Sequence, residues 1–161
     1  MGDEGDLVEV RLARGCRCFG AWIEDDLAGY GWLSTGPEWI GELELEIKPG
    51  EGEAYIWNCF TLAHHRRRGV LRALLAGIRA RAQDEGMKRV WIGSVAIPAE
   101  RAFGPSGFNP ALAMTSVTFA GFHWLQARPA DGADPGLVAA AHQVVATSPG
   151  WYLRRSRRRR H

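Results

Sequence analysis

An α/β domain with a mixed central sheet, its antiparallel N-terminal strands followed by a βαβ core, is the fold class that three features of the sequence predict. Cys16–Ile23 and Ala28–Ser34 flank the acidic turn Glu24-Asp25-Asp26; the apolar stretch Ala54–Leu62 leads into a strongly periodic helix; and a second apolar run, Arg89–Val95, follows that helix directly. Two β-rich runs around a short polar turn make an antiparallel hairpin. Strand, helix, strand in that order makes a right-handed crossover between parallel neighbours.

The elements are justified in order. Leu7–Leu12, ahead of the hairpin, is a candidate for an additional strand. Between Ile40 and Ile47, Leu43, Leu45 and Ile47 alternate with Glu42, Glu44 and Glu46, which predicts one half-buried antiparallel strand ending at the turn Lys48-Pro49-Gly50. Ala54–Leu62 is aromatic and β-branched. In the helix, Leu71, Leu74, Leu75, Ile78 and Ala82 share one face while Arg72, Arg79, Arg81 and Asp84 fall elsewhere, and Gly86 supplies a C-terminal stop. Strands near Ala113–Phe119 and Phe122–Arg128 follow, then a Pro/Gly/Asp-rich linker and a short helix near Leu137–Ala146. Trp22, Trp32, Trp57 and Trp91 read as core aromatics, because strand aromatics pack.

Length and composition bound the class. With 161 residues, 46% of them hydrophobic and 24% charged, the chain is an ordinary globular protein with its own core. We read residues 1–128 as one domain, 129–152 as linker and helix, and 153–161 as a basic, disordered tail. No apolar run approaches the ~18 residues of a membrane span, and the acidic start Met1-Gly2-Asp3-Glu4 is unlike a signal peptide, so a cytoplasmic location is expected. The odd count of Cys16, Cys18 and Cys59 argues for reduced thiols. Cys16-x-Cys18 with His64-His65 has no recognised zinc spacing, and no metal is expected.

Charge is uneven. Six of the twenty basic residues lie in Arg154–Arg160, leaving fourteen basic against eighteen acidic in the rest of the chain. Nucleic-acid binding is therefore expected only through the 154–160 tail, if at all, because the remainder carries no domain-wide basic footprint.

The basic character inside the folded region sits in His64-His65-Arg66-Arg67-Arg68-Gly69, between a strand and a helix start. The first N–H groups of a helix lack internal partners and carry the positive end of its dipole, so they attract phosphate, and arginines add charge and forked donors. Neither the nucleoside-triphosphate loop nor the Gly-x-Gly-x-x-Gly dinucleotide fingerprint occurs here.

Arg66-Arg67-Arg68-Gly69-Val70-Leu71 resembles the pyrophosphate loop Arg/Gln-x-x-Gly-x-Gly/Ala of the GCN5-related N-acetyltransferase (GNAT) family, departing only at Leu71. Ala99–Phe108 resembles that family's next helix and its Gly-Phe ending, and the likeness covers roughly residues 16 to 128. The resemblance implies an acyl-coenzyme A-binding βαβ core, with acetyl-CoA the expected co-substrate and an amine, small or on a peptide, the acceptor. Backbone at Phe60, Thr61 and Leu62 would meet the acyl-pantetheine arm, Arg66, Arg67, Arg68, Gly69, Val70 and Leu71 the pyrophosphate. Asn58 and Ser106 are the candidate catalytic residues, with Thr61 and Ser94 facing the same cleft. Phe103 stands where the family commonly has a tyrosine that protonates the leaving thiolate, and is placed in the cofactor-binding cleft.

Several residues keep two readings. Asn58 is a site residue or an amide capping a neighbouring loop. His64 and His65 are bases or surface groups of a basic turn. Glu44 and Glu46 activate a water or merely line a solvated sheet face. The family places a strand and two helices before the hairpin, where this sequence has about fifteen residues, so the chain is read as shortened at its N-terminus, or else Leu7–Leu12 replaces the missing strand. An uncovered sheet edge would then favour a homodimer, with Leu137–Tyr152 against the partner. The function that results is N-acyl transfer from acyl-coenzyme A; the alternatives are a catalytically impaired CoA-binding module of the same fold and a nucleic-acid-associated protein acting through its tail.

Overall fold

Strands β1 (Arg17–Ile23) and β2 (Asp26–Ser34) form the expected hairpin, turning at Glu24-Asp25, and Glu24 takes the left-handed backbone (φ 54°) that such tight turns require. The computed structural model describes residues 2–95, 97–147 and 150–155, in two compact units: residues up to Gly36 with Pro49–Phe108, and Pro37–Lys48 with the residues from Asn109 onward.

In the first unit the sheet order is β1-β2-β5-β6, where β5 is Glu53–Thr61 and β6 is Arg89–Ile92. β1, β2 and β5 are antiparallel neighbours, and β5 pairs with β6 in parallel across α2 (Val70–Asp84), which completes the βαβ crossover. Helix α2 buries Val70, Leu74, Leu75, Ile78 and Ala82, so Val70 takes the place at the first turn that periodicity gave to the half-buried Leu71. Leu74, Leu75 and Ile78 pack on Leu33, Ala54 and Ile56, with Phe19, Phe103 and Phe108 at the margin. Each large aliphatic side chain removed from water there contributes about 1.5–3 kcal/mol.

Leu7–Leu12 is not a strand. A 3₁₀ turn over Gly2–Leu7 runs into α1 (Val8–Ala13), because Val8 and Arg11, three residues apart, both turn onto the sheet. Val8 packs against the Cys16–Tyr30–Trp32 cluster, and the buried Arg11 guanidinium lies 5.2 Å and 4.7 Å from the ring centres of Trp32 and Trp57. Trp22, expected in the core, is instead 63% exposed. It follows an irregularity of the β1–β2 register at Ala21/Trp22 on an edge strand, which leaves its outer face uncovered.

The second unit holds β3 (Glu38–Ile40) and β4 (Leu45–Ile47), a separate antiparallel pair, and the sheet β7-β8-β9 of Leu112–Phe119, Phe122–Pro129 and Gly150–Arg155, with α4 (Pro135–Val144). The single strand expected over Ile40–Ile47 is thus a hairpin, turning at Gly41–Glu44 with Glu44 at φ 46°. The left-handed Glu44 closes the reversal, and alternation alone could not reveal it. Glu44 is buried rather than solvated. In the first unit, α3 (Ile97–Glu100) is shorter than the helix expected over Ala99–Phe108, which continues through turns to a 3₁₀ segment at Gly104–Ser106. β9 has no counterpart in the sequence reading and carries Leu153, Arg154 and Arg155 into a sheet; the rest of the basic tail lies outside the described residues. No described helix is long and apolar enough to cross a membrane.

Candidate functional site

Two local features shape the C-terminal end of β5. The first is a bulge. Trp32 stands opposite Trp57 and Tyr30 opposite Phe60, so the single residue Gly31 faces both Asn58 and Cys59, and Asn58 takes φ 45°. Gly31 is required there, since a Cβ would lie 2.9 Å from Cys59 Sγ and 3.2 Å from Leu74. The second is a parting of strands. The ladder from β5 to β6 ends at Ile56–Ile92, whereas β5 runs on to Thr61. Trp57–Thr61 therefore lies outside the β5–β6 ladder.

Not every backbone group in that stretch is available. The Leu62 amide donates to Ala28 O at 3.0 Å, on the β2 side, so of Phe60, Thr61 and Leu62 the last has its N–H committed within the sheet. Phe60 is largely exposed and stacks on Tyr30 at 5.7 Å, while Thr61 and Asn58 are half-buried. Burial pushes the Cys59 thiol up to about 12.

After β5 the chain makes a 3₁₀ turn, Ala63–His65, and the loop Arg66–Gly69. Arg67 is left-handed at φ 61° and Gly69, the N-cap of α2, at φ 79°. A non-glycine residue in that region costs about 1–2 kcal/mol, and here the strain lies in a loop that opens a helix. No side chain caps α2, and the Ala73 amide is the one that reaches back to Gly69 O, at 3.0 Å. The amides of Val70, Leu71 and Arg72 therefore project from the helix start, with open space above Gly69. Arg66, Arg67 and Arg68 are all exposed around that mouth. This arrangement suits a diphosphate.

The histidines meet a residue that sequence reading passed over. His65 is 5% exposed, and its Nε2 lies 2.8 Å from Asp26 Oδ2; His64 Nε2 reaches the same oxygen at 3.1 Å. Hydrogen bonds from His65 first, then His64, hold the Asp26 carboxyl below its usual range. On the other side of the ring, Arg68 Nη1 stands 3.1 Å from His65 Nδ1. Asp26 looked like the third residue of an acidic turn, and only the pairing of β2 with β5 brings it beneath His64-His65.

Asp26, His64 and His65 place their ligand atoms within 4.8 Å of one another, whereas Cys16 and Cys18 are not of that group. In this arrangement the three groups are joined by hydrogen bonds. Arg68 only donates, so Nδ1 accepts and the proton of a neutral His65 sits on Nε2, the atom a metal would need. Both ring nitrogens are engaged in this chain of contacts.

The remaining expected residues are Ser106, Phe103 and Ser94. Ser106 is buried, its hydroxyl donating to Ala102 O at 2.7 Å, with Arg72 O at 3.4 Å. Phe103 is half-buried against the α2 core, 6.3 Å from Phe108. Ser94, just beyond β6, is half-buried.

No curated protein matches this sequence. Among solved structures, a Bacillus subtilis acetyltransferase in complex with CoA is similar over 70% of this chain and 66% of its own, with a TM-score of 0.52 and 21% identity. A Trypanosoma brucei acetyltransferase is similar over 71% of this chain and 76% of its own, at a TM-score of 0.50 and 14% identity. These likenesses concern the fold. The sequence profile of the acetyltransferase (GNAT) family matches residues 3–104, which take in the bulged strand, the arginine loop and α2, and the chain therefore belongs to the GNAT acetyltransferase family.

Proposed function

We propose that this protein is an N-acyltransferase that moves a short acyl group, acetyl in the first instance, from acyl-coenzyme A to an amine. The observation that carries the reading is the parting of β5 from β6 immediately before the Arg66–Gly69 loop. It puts the end of β5, beyond its ladder with β6, next to a helix start able to hold a diphosphate, so that an acyl-pantetheine arm could lie along that strand. The neutral amine attacks the thioester carbonyl carbon, a C–N bond forms, the C–S bond breaks, and the proton lost by nitrogen balances the one gained by the thiolate.

Phe103 has no proton to give. Ser106 reaches a thiolate only by leaving the Ala102 carbonyl, so water is the simpler acid and Ser106 the secondary candidate. Asn58, at the bulge, is assigned to orient the reacting groups. Calorimetric titration with acetyl-CoA tests the reading, and no heat at millimolar ligand would end it. A screen of amine acceptors with thiol release as readout then separates catalysis from the impaired-module reading, which the committed Ser106 hydroxyl and Phe103 favour: binding without release from any amine would establish that second reading.

The assembly we propose is a homodimer in the cytoplasm. Its support is the second unit's sheet, where Val117, Trp124 and Leu153 stand in register across β7, β8 and β9 beside Phe119, Phe122 and Trp151. Five of these six side chains are at least 40% exposed, Trp124 being half-buried. Sedimentation as a monomer at tens of micromolar would refute the dimer.

A further inference from the structure

We propose that Asp26 and His65 are positioning residues that set Arg68 for the diphosphate of acyl-coenzyme A. This rests on the acyl-CoA reading above and adds a mechanism to it. The chain of contacts runs from an exposed carboxylate on β2, through a buried imidazole, to a guanidinium one residue before the N-cap of α2: Asp26 Oδ2 to His65 Nε2 at 2.8 Å, His65 Nδ1 to Arg68 Nη1 at 3.1 Å.

Each link constrains the next. Asp26 only accepts and Arg68 only donates, so both contacts are made together by the tautomer with its proton on Nε2 and its lone pair on Nδ1. A doubly protonated ring would set N–H against N–H at Arg68 and lose that contact. The charged groups around the ring are Asp26 from β2, His64 from its own turn and Arg68 from the loop. Burial of His65 leaves its ring little freedom, so the direction of its Nδ1 lone pair fixes where one arm of the Arg68 fork lies. The other nitrogens of the fork stay available. An arginine held before the ligand arrives loses less rotamer freedom on binding than one that must be ordered by it. Arg66 and Arg67 carry the same charge, but neither has a side-chain acceptor of this kind among the described residues; Arg66 Nε reaches only the Thr61 carbonyl, at 3.4 Å.

The test is coenzyme A binding by calorimetry in a double-mutant cycle. His65→Leu should weaken binding about tenfold and Asp26→Ala about threefold, within the range usual for residues joined in one hydrogen-bond network. Both losses should vanish in an Arg68→Ala background. His65→Gln, whose amide accepts and donates in the same sense as the neutral ring, should recover most of the affinity, which a loss of packing would not allow. Asp26→Ala guards against misfolding of the His65 variants, since Asp26 is exposed. Wild-type binding that survives both substitutions, or losses that persist without Arg68, would overturn the inference while leaving the acyl-CoA site intact. Absence of wild-type binding would instead remove the acyl-CoA reading and this one with it. Equilibrium dialysis with zinc is the last arm: zinc uptake by the wild type that Asp26→Ala abolishes would make the cluster a metal site and displace the positioning role.

Discussion

The indole N–H of Trp91 donates to Glu53 Oε2 at 2.8 Å, tying the first residue of β5 to the parallel strand beside it. Glu53 also receives the Gly50 amide at 3.2 Å and the Arg89 guanidinium. Burial pushes its carboxyl upward, but these donors together outweigh burial and hold it below the ordinary value of 4.5.

A depressed folded-state carboxyl stabilises above the unfolded-state value and loses that contribution as pH falls through the folded-state one. The first unit should therefore lose stability as pH drops below 4.5, and Glu53→Gln should flatten that part of the profile. At pH 7 the same substitution should cost about 1.5–3 kcal/mol, the worth of a hydrogen bond to a charged group. Thermal melts between pH 3 and 7 check both.

Gly69 needs its left-handed φ of 79° but has open space where a Cβ would go. Gly69→Ala should thus fold, with a backbone cost of about 1–2 kcal/mol, and should bind acetyl-CoA only moderately worse. Gly69→Glu should abolish binding by putting a carboxylate at the helix start. Equal binding by the two variants would remove the diphosphate from this loop.

Phe103→Tyr places a hydroxyl at the position proposed to match the family's common tyrosine. Activity should hold or rise, and a positioned acid is worth at most ~10²–10⁴-fold. Steady-state turnover with the best amine decides the matter, and a tenfold loss in a well-folded variant would show that Phe103 does not occupy that position.

Gly31→Ala should destabilise by about 1–3 kcal/mol through overpacking, because its methyl would meet Cys59 Sγ at 2.9 Å. Cys59→Ala should recover part of that loss, leaving the contact with Leu74. Denaturant midpoints of the two single variants and the double give the coupling.

In the second unit, Asp134 caps α4 by accepting the Leu137 amide at 2.8 Å, ahead of Pro135. Asp134→Ala should cost about 0.5–2 kcal/mol. The loss should be visible in amide exchange of the first turn of α4.

What could be read from the chain follows the range of the forces involved. The βαβ core was legible because Leu74, Leu75 and Ile78 write a 3.6-residue period and Arg68-Gly69 marks where it begins. The Ile40–Ile47 hairpin was not, because alternation of Leu and Glu persists on both arms of a reversal and hides it. Leu7–Leu12 was opaque for the opposite reason: one turn and a half of helix is too short to establish a period. In the site, the arginine loop announced itself by composition, but Asp26 lies 39 residues from His65, and nothing local distinguishes it from Asp25. The commitment of Ser106 to a carbonyl within its own turn was likewise invisible in a sequence that offers only a serine before a glycine.

The thiol of Cys59, raised to about 12 by its burial, sits in the strand proposed to receive a thioester. Nucleophilic attack by a cysteine requires the thiolate, and at pH 7 that fraction is on the order of one in 10⁵ for such a group. A bulged strand that exposed this sulfur would invite the enzyme to acylate itself, diverting the group from its amine and blocking its own cleft. On that proposal, Cys59 packed against Gly31 would leave the amine as the competent nucleophile, and the glycine that permits the bulge would also shield the acyl donor from the protein.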